Sequence, residues 1–108
     1  MSIKIRLGLR AQRDVDGIYR WISQRTQSGA AAWRRALELA YEQVATAPFL
    51  CTVAEESTKL RVEIRQCLFR TRRGRTFRML FVVNQNEAFI LCIRGPGQAP
   101  IGPADVVE

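Results

Sequence analysis

The sequence predicts an α+β fold in the order β-α-α-β-β-β, with an antiparallel sheet packed on one face by a two-helix hairpin. Apolar residues alternate with polar ones near the N-terminus and again after residue 60, which is typical of strands. Between residues 11 and 47 they recur every three or four positions, as in amphipathic helices. A chain of 108 residues is long enough for one domain with one core.

The first half of the chain contains one predicted strand and two predicted helices. Residues 2–9 alternate and predict the strand. The helical spacing runs from Ala11 to about Arg25, breaks at residues 27–29, and resumes until Ala47, where Pro48 ends the second helix. Because the break is short, we expect the two helices to form an antiparallel hairpin.

The second half predicts a three-stranded meander that follows a polar loop at residues 49–58. Its strands cover residues 60–69, 76–83 and 88–94, and its turns fall at residues 72–75 and 84–87. Gly74 is expected to adopt a positive φ in the first turn. Residues 1–98 form the predicted domain, and residues 99–108 form an irregular tail that continues the Gly- and Pro-rich stretch beginning at Gly95.

Both faces of the predicted meander are apolar, although a helical hairpin can cover only one of them. Phe77, Met79 and Phe81 point to one side of the second strand, and Leu80 and Val82 point to the other. We expect either the tail or a partner chain to cover the second face, because large uncovered apolar patches are rare on soluble monomers. Arg78 and Arg94 are expected at the ends of that face.

The net positive charge of the chain is concentrated in one segment. Residues 59–78 contain one Lys and seven Arg against the single acid Glu63, and this segment alone accounts for the net charge of +7. Such a segment attracts nucleic-acid phosphates or an acidic protein, and guanidinium groups bind either one through two points. The candidate binding residues are Lys59, Arg61, Arg70, Arg72, Arg73 and Arg75.

The composition excludes several classes of site. The chain has no His, and its three cysteines, Cys51, Cys67 and Cys92, are widely spaced, so neither a zinc site nor a His-activated nucleophile is expected. No apolar stretch is long enough to cross a membrane, and the N-terminus does not read as a signal peptide. We therefore expect a cytoplasmic protein without a metal, a cofactor or a membrane partner.

The order of the elements and four short segments resemble the RelE/ParE superfamily, the small bacterial toxins of type II toxin–antitoxin modules. The resemblance spans residues 2–98, and it rests on order and spacing rather than on any single motif. The four segments are residues 14–22, residues 60–65, Phe77-Arg78-Met79-Leu80-Phe81 and Ile90-Leu91-Cys92-Ile93-Arg94.

This resemblance implies a partner and a choice between two activities. The partner is an antitoxin that wraps the toxin with an extended or helical segment, supplies acids to the arginines and forms the oligomer. The RelE-like branch cleaves mRNA on the ribosome, whereas the ParE-like branch inhibits DNA gyrase and is not a hydrolase. Arg65, Arg78 and Arg94 are the candidate catalytic residues if the protein is a nuclease.

The residues favour the ParE-like branch, because RNA cleavage without a metal needs an acid and a base as well as cations. The only tyrosines, Tyr19 and Tyr41, lie on core-facing helix positions, and Glu63 is expected as an ion-pair partner of an arginine. The alternatives are a RelE-like ribosome-dependent endoribonuclease and a basic nucleic-acid-binding module without toxin activity.

Overall fold

The computed structural model describes residues 2–96 and 98, and it shows an α+β fold built on one five-stranded sheet. The elements in chain order are β1 (Lys4–Leu7), α1 (Leu9–Ser23), α2 (Gln27–Thr46), a 3-10 turn (Pro48–Leu50), β2 (Thr52–Val53), α3 (Glu56–Leu60), β3 (Arg65–Phe69), β4 (Phe77–Asn84) and β5 (Glu87–Arg94). The strand order across the sheet is β1-β5-β4-β3-β2. No helix in this described part is both long and apolar enough to cross a membrane.

The two long helices pack against each other, and the break between them lies earlier than the sequence pattern predicts. α1 ends at Ser23 and α2 begins at Gln27, so residues 27–29 are the first turn of α2 and not the break. The hydroxyl oxygen of Thr26 caps this turn by accepting a hydrogen bond from the Gly29 amide at 3.3 Å. As predicted, α2 ends just before Pro48.

The sheet is mixed, which corrects the prediction of an antiparallel sheet. β3, β4 and β5 form the predicted antiparallel meander, but β1 pairs with β5 in parallel, with Ile5 opposite Ala88. The alternation of side chains is the same in parallel and antiparallel strands. The residues of β1 therefore predict a strand but not its direction.

The segment between α2 and β3 is more ordered than the predicted loop. It contains β2 and α3, and β3 begins at Arg65 instead of near Leu60. Arg61 closes α3 in a left-handed conformation with a φ of 57°. The Ser57 hydroxyl donates a hydrogen bond to the Val62 carbonyl at 2.6 Å and accepts one from the Ile64 amide at 2.7 Å, so the chain folds back before the strand starts.

Each face of the sheet has its own core. The helix-side core contains Trp33 and Leu37 of α2 packed on Met79 and Phe81 of β4. The second-face core contains five buried residues, with Leu60 of α3 packed against them: Ala54, Ile64, Leu80, Leu91 and Cys92. The α3 segment therefore covers part of the face for which we expected the tail or a partner chain, and the predicted tail at 99–108 lies outside the described residues.

A β-bulge in β5 decides which face Arg94 occupies. Leu80 pairs with Cys92 and Phe81 pairs with Ile90, so Leu91 is an extra residue in β5. Strict alternation would place Arg94 on the side of Ile90, which belongs to the helix-side core. The bulge shifts this alternation, and Arg94 lies opposite Arg78 on the second face.

Candidate functional site

Four arginines surround the tip of the β3–β4 hairpin. Arg70, Arg72, Arg73 and Arg75 are exposed and follow one another within six residues; we call them the arginine turn. The Gly74 amide donates a hydrogen bond to the Thr71 carbonyl at 3.2 Å, which closes the turn. Gly74 does not adopt the positive φ that we predicted, and a Cβ atom at this position would force the Thr71 hydroxyl to shift.

The charges of the arginine turn are available to a partner. Within residues 2–96 and 98, the ion pairs and cation–π contacts of the chain involve other cations: Arg6, Arg10, Arg25, Arg34, Arg65 and Arg78. Four exposed guanidinium groups without an acidic neighbour repel one another and attract an anion. The turn is therefore an anion-attracting feature of the described surface.

The other two candidate binding residues, Lys59 and Arg61, come before β3 in the sequence. Lys59 is in the last turn of α3 and Arg61 caps that helix, and both are exposed. β3 separates them from the arginine turn. The basic segment of the sequence is therefore divided between α3 with its cap, β3, the arginine turn and the start of β4.

Arg65 is held by its own chain on the helix side of the sheet. In β3 its side chain lies on the same face as those of Cys67 and Phe69, which belong to the helix-side core. Its Nη1 donates a hydrogen bond to the Cys51 carbonyl at 2.7 Å, and its Nη2 binds Glu63 at 2.6 Å, which confirms the ion pair expected for that acid. These contacts make Arg65 a connection between β3 and the segment that precedes β2.

Arg78 is held by a buried carboxylate on the second face. Its Nη2 and Nη1 donate hydrogen bonds to Oε2 and Oε1 of Glu56 at 2.7 and 3.1 Å, and Nη1 also donates to Oε1 of Gln66 at 3.0 Å. Glu56 is only 1% exposed, and its hydrogen bonds raise the pKa of Arg78. Arg94 lies opposite Arg78 in β5 and is also buried. We call Glu56, Gln66, Arg78 and Arg94 the second-face cluster.

The structure brings two of the three candidate catalytic arginines together. Arg78 and Arg94 are cross-strand neighbours, whereas Arg65 points to the opposite face of the sheet. A hollow of about 690 Å³ borders Arg78, and Glu55, Thr76 and Gln98 contribute its other polar side chains together with Gln66. Three cations around one reacting phosphate would require Arg65 to cross the sheet.

A second groove lies between α2 and the outer edge of β3. It has a volume of about 470 Å³, and Leu39 and Leu68 on its walls are 65% and 55% exposed. β2 pairs only with Arg65 and Gln66, so in the described chain the outer edge of residues 67–69 has no neighbouring strand. Arg70 also lines the groove, which combines exposed apolar surface, an open strand edge and a cation.

Glu56 is the functional candidate that sequence reasoning missed. It falls in the polar run Glu55-Glu56-Ser57, which indicates a solvent-exposed loop rather than a buried ion pair. An exposed acid and a buried one look the same in a polar run. Among the described residues, no group of three or more His, Cys, Asp or Glu side chains could hold a metal ion.

Neither search for relatives assigns the chain to a known group. A scan of protein-family models finds no match, and a search of the curated proteins also finds none.

Proposed function

We propose that this protein is the toxin of a type II toxin–antitoxin module that acts in the ParE-like manner, by binding DNA gyrase rather than by cleaving RNA. The observation that carries this proposal is the contrast between the arginines. In the part of the chain that the structure describes, those of the arginine turn are exposed without an acidic partner, whereas Arg65 and Arg78 already bind Glu63 and Glu56. The exposed charges suit a protein target, and the engaged ones are unsuited to phosphate chemistry.

The groups that could move protons also argue against a nuclease. Tyr19 and Tyr41 pack against the helix-side core, and burial raises the pKa of Tyr41 to about 12, so it remains protonated at neutral pH. Glu63 and Glu56 are both bound to guanidinium groups. Among the described residues, RNA cleavage would have to rely on the exposed carboxylate of Glu55, which lines the hollow beside Arg78.

The proposed antitoxin fits the groove between α2 and β3. An extended segment could add a strand to the open edge of residues 67–69 and place an apolar side chain between Leu39 and Leu68. An acid on the same segment would meet Arg70. A bound antitoxin segment would explain why the exposed side chains of Leu39 and Leu68 lie beside the positive charge of Arg70.

The alternative is a RelE-like ribosome-dependent endoribonuclease, and one observation favours it. Arg78 lines a hollow large enough for a nucleotide, and Arg94 is its cross-strand neighbour. A phosphate that displaced Glu56 would take its place at Arg78, beside the neighbouring Arg94. RNA cleavage at this position requires the second-face cluster to open, whereas inhibition of gyrase through the arginine turn does not.

Purified full-length protein distinguishes these functions. We expect it to inhibit DNA supercoiling by gyrase and to leave ribosome-bound mRNA intact in primer extension. Changing the arginine turn to Gln should weaken the inhibition about tenfold or more, because several charge-assisted contacts are lost together. A matched control neutralises four exposed cations elsewhere, at Lys4, Arg13, Arg20 and Arg35.

Each other outcome contradicts the gyrase proposal. Cleaved mRNA that depends on Arg78 and Arg94 would establish the nuclease. Equal losses in the arginine-turn variant and the control would show a non-specific charge effect. Uninhibited gyrase and intact mRNA, with salt-dependent binding to free DNA or RNA, would establish a plain nucleic-acid-binding module.

A further inference from the structure

A cavity of about 390 Å³ lies between the junction of α1 and α2 and the arginine turn. It shares no lining residue with the hollow or with the groove described above. Its walls are largely apolar, and the side chains used below are Trp21, Ile22, Trp33, Arg73, Arg75 and Phe77. The volume is in the range of pockets that hold small organic molecules.

The inner wall is a fixed group of aromatic rings. The ring centroid of Trp33 lies 5.7 Å from that of Phe77 and 5.9 Å from that of Phe69, and Trp33 is 2% exposed. Trp21 lines the same cavity, is largely exposed and carries the Arg25 guanidinium 3.7 Å from its ring centroid. A planar apolar group would therefore meet preformed aromatic surface.

The indole N–H of Trp33 is an unpaired buried donor. Nε1 has no hydrogen-bond partner among residues 2–96 and 98, although buried tryptophan N–H groups usually find one. Trp33 lines the cavity, whereas its Nε1 atom has almost no accessible surface, so a bound molecule would meet the indole through its ring.

The polar residues at the cavity favour an anion. Arg73 and Arg75 are exposed and line it, and its lining contains no acidic side chain. A carboxylate beside these two residues would gain charge-assisted hydrogen bonds in two-point geometry. The cavity thus combines an aromatic wall with a cationic edge.

We propose that this cavity binds a small aromatic carboxylate, with its ring against Trp21, Trp33 and Phe77 and its carboxylate at Arg73 and Arg75. The largely apolar lining favours a plain aromatic ring over a nucleobase, which would leave its ring nitrogens unpaired. This inference does not depend on the proposed toxin activity. It is tested on the free full-length protein without gyrase or an antitoxin.

The two tryptophans of the chain both line the cavity, so they report binding directly. The probe is 1-anilinonaphthalene-8-sulfonate, an aromatic anion that accepts energy from excited tryptophan. Its matched control is N-phenyl-1-naphthylamine, which has the same rings without the charge. We expect the anion to bind about tenfold more tightly, and we expect 4-phenylbutyrate, but not adenosine monophosphate, to displace it.

Paired variants test the cationic edge. Arg73→Gln with Arg75→Gln should weaken binding of the anionic probe about tenfold and leave the neutral probe unchanged. Arg70→Gln with Arg72→Gln removes the same charge from the same turn at residues that do not line the cavity, and it should leave both probes unchanged.

Several results would overturn the inference. Equal affinities for the charged and neutral probes would show that Arg73 and Arg75 do not contribute. An equal loss in the Arg70 and Arg72 variant would show a long-range charge effect instead of a site. Displacement by adenosine monophosphate but not by 4-phenylbutyrate would assign the cavity to nucleotides.

Discussion

The carboxylate of Glu56 is the most informative group to change, because it is buried and binds Arg78 through both oxygens. Glu56→Gln keeps the size of the side chain and removes its charge. The guanidinium of Arg78 then lies beside Arg94 without the carboxylate that binds it through two hydrogen bonds. We expect this change to destabilise the fold.

The magnitude follows from the burial of the two partners. Removing one member of a fully buried ion pair costs about 3–5 kcal/mol. The side chain of Arg78 is 22% exposed, so water can solvate part of its charge. We therefore expect Glu56→Gln to lower the free energy of unfolding by about 2–3 kcal/mol.

Glu63→Gln is the matched control, because it removes the carboxylate that binds Arg65 at 2.6 Å. The Glu63 side chain is 62% exposed, so its loss should lower the free energy of unfolding by less than about 1 kcal/mol. Both variants are compared by urea unfolding followed by far-UV circular dichroism. Combining Glu56→Gln with Arg78→Met should show a coupling energy of about 1–3 kcal/mol.

Two results would refute this reasoning. If Glu56→Gln cost no more than Glu63→Gln, the ion pair on the second face would contribute no more than a surface pair. If the effects of Glu56→Gln and Arg78→Met were additive, the two side chains would not interact in solution.

Three further predictions concern stability and use the same urea assay. Gln85 has a φ of 57°, so Gln85→Gly should raise the free energy of unfolding by about 1 kcal/mol, whereas Gln12→Gly on the exposed side of α1 should lower it by a similar amount. Ile64→Ala should cost about 2–4 kcal/mol because Ile64 is fully buried, and Val62→Ala should cost less than about 1 kcal/mol because Val62 is exposed. Burial raises the pKa of Cys67 from 9.0 to about 12, so the folded state holds this proton more tightly than the unfolded state, and about 2–4 kcal/mol of stability should be lost between pH 9 and pH 12.

A specific result would contradict each of these three predictions. A loss of stability in Gln85→Gly would mean that the left-handed conformation is not strained. Equal costs for Ile64→Ala and Val62→Ala would fit the strand predicted from their alternation rather than the observed turn. An unchanged slope between pH 9 and pH 12 in Cys67→Ala would assign the alkaline loss to another group, such as Tyr41, whose pKa is also raised by burial.

The helices and the meander could be predicted from the sequence because they depend on local patterns. Helical spacing of apolar residues predicts α2, and alternation predicts β4, because in each element the period of the backbone decides which side chains reach the core. The segment before β3 could not be predicted in this way. Residues 62–64 alternate as a strand would, but the Ser57 hydrogen bonds and the left-handed Arg61 fold them across the second face.

For the candidate site, the sequence predicts which residue types are present but not how they are arranged. The sequence alone locates the arginines, and it correctly pairs Glu63 with one of them. It does not separate the exposed arginine turn from Arg78, whose partner Glu56 comes from 22 residues away. Which acid meets which arginine depends on how α3 is placed on the sheet.

Sequence by itself determined the helices, the meander and the concentration of positive charge, because each is a property of neighbouring residues. Tertiary structure alone decided the parallel direction of β1, the burial of Glu56 and the bulge through which Arg94 reaches the face where we expected it. The bulge at Leu91 is the clearest case, since one extra residue in β5 moves Arg94 to the opposite face of the sheet. Strand register depends on contacts between distant segments, and a period in the sequence cannot specify it.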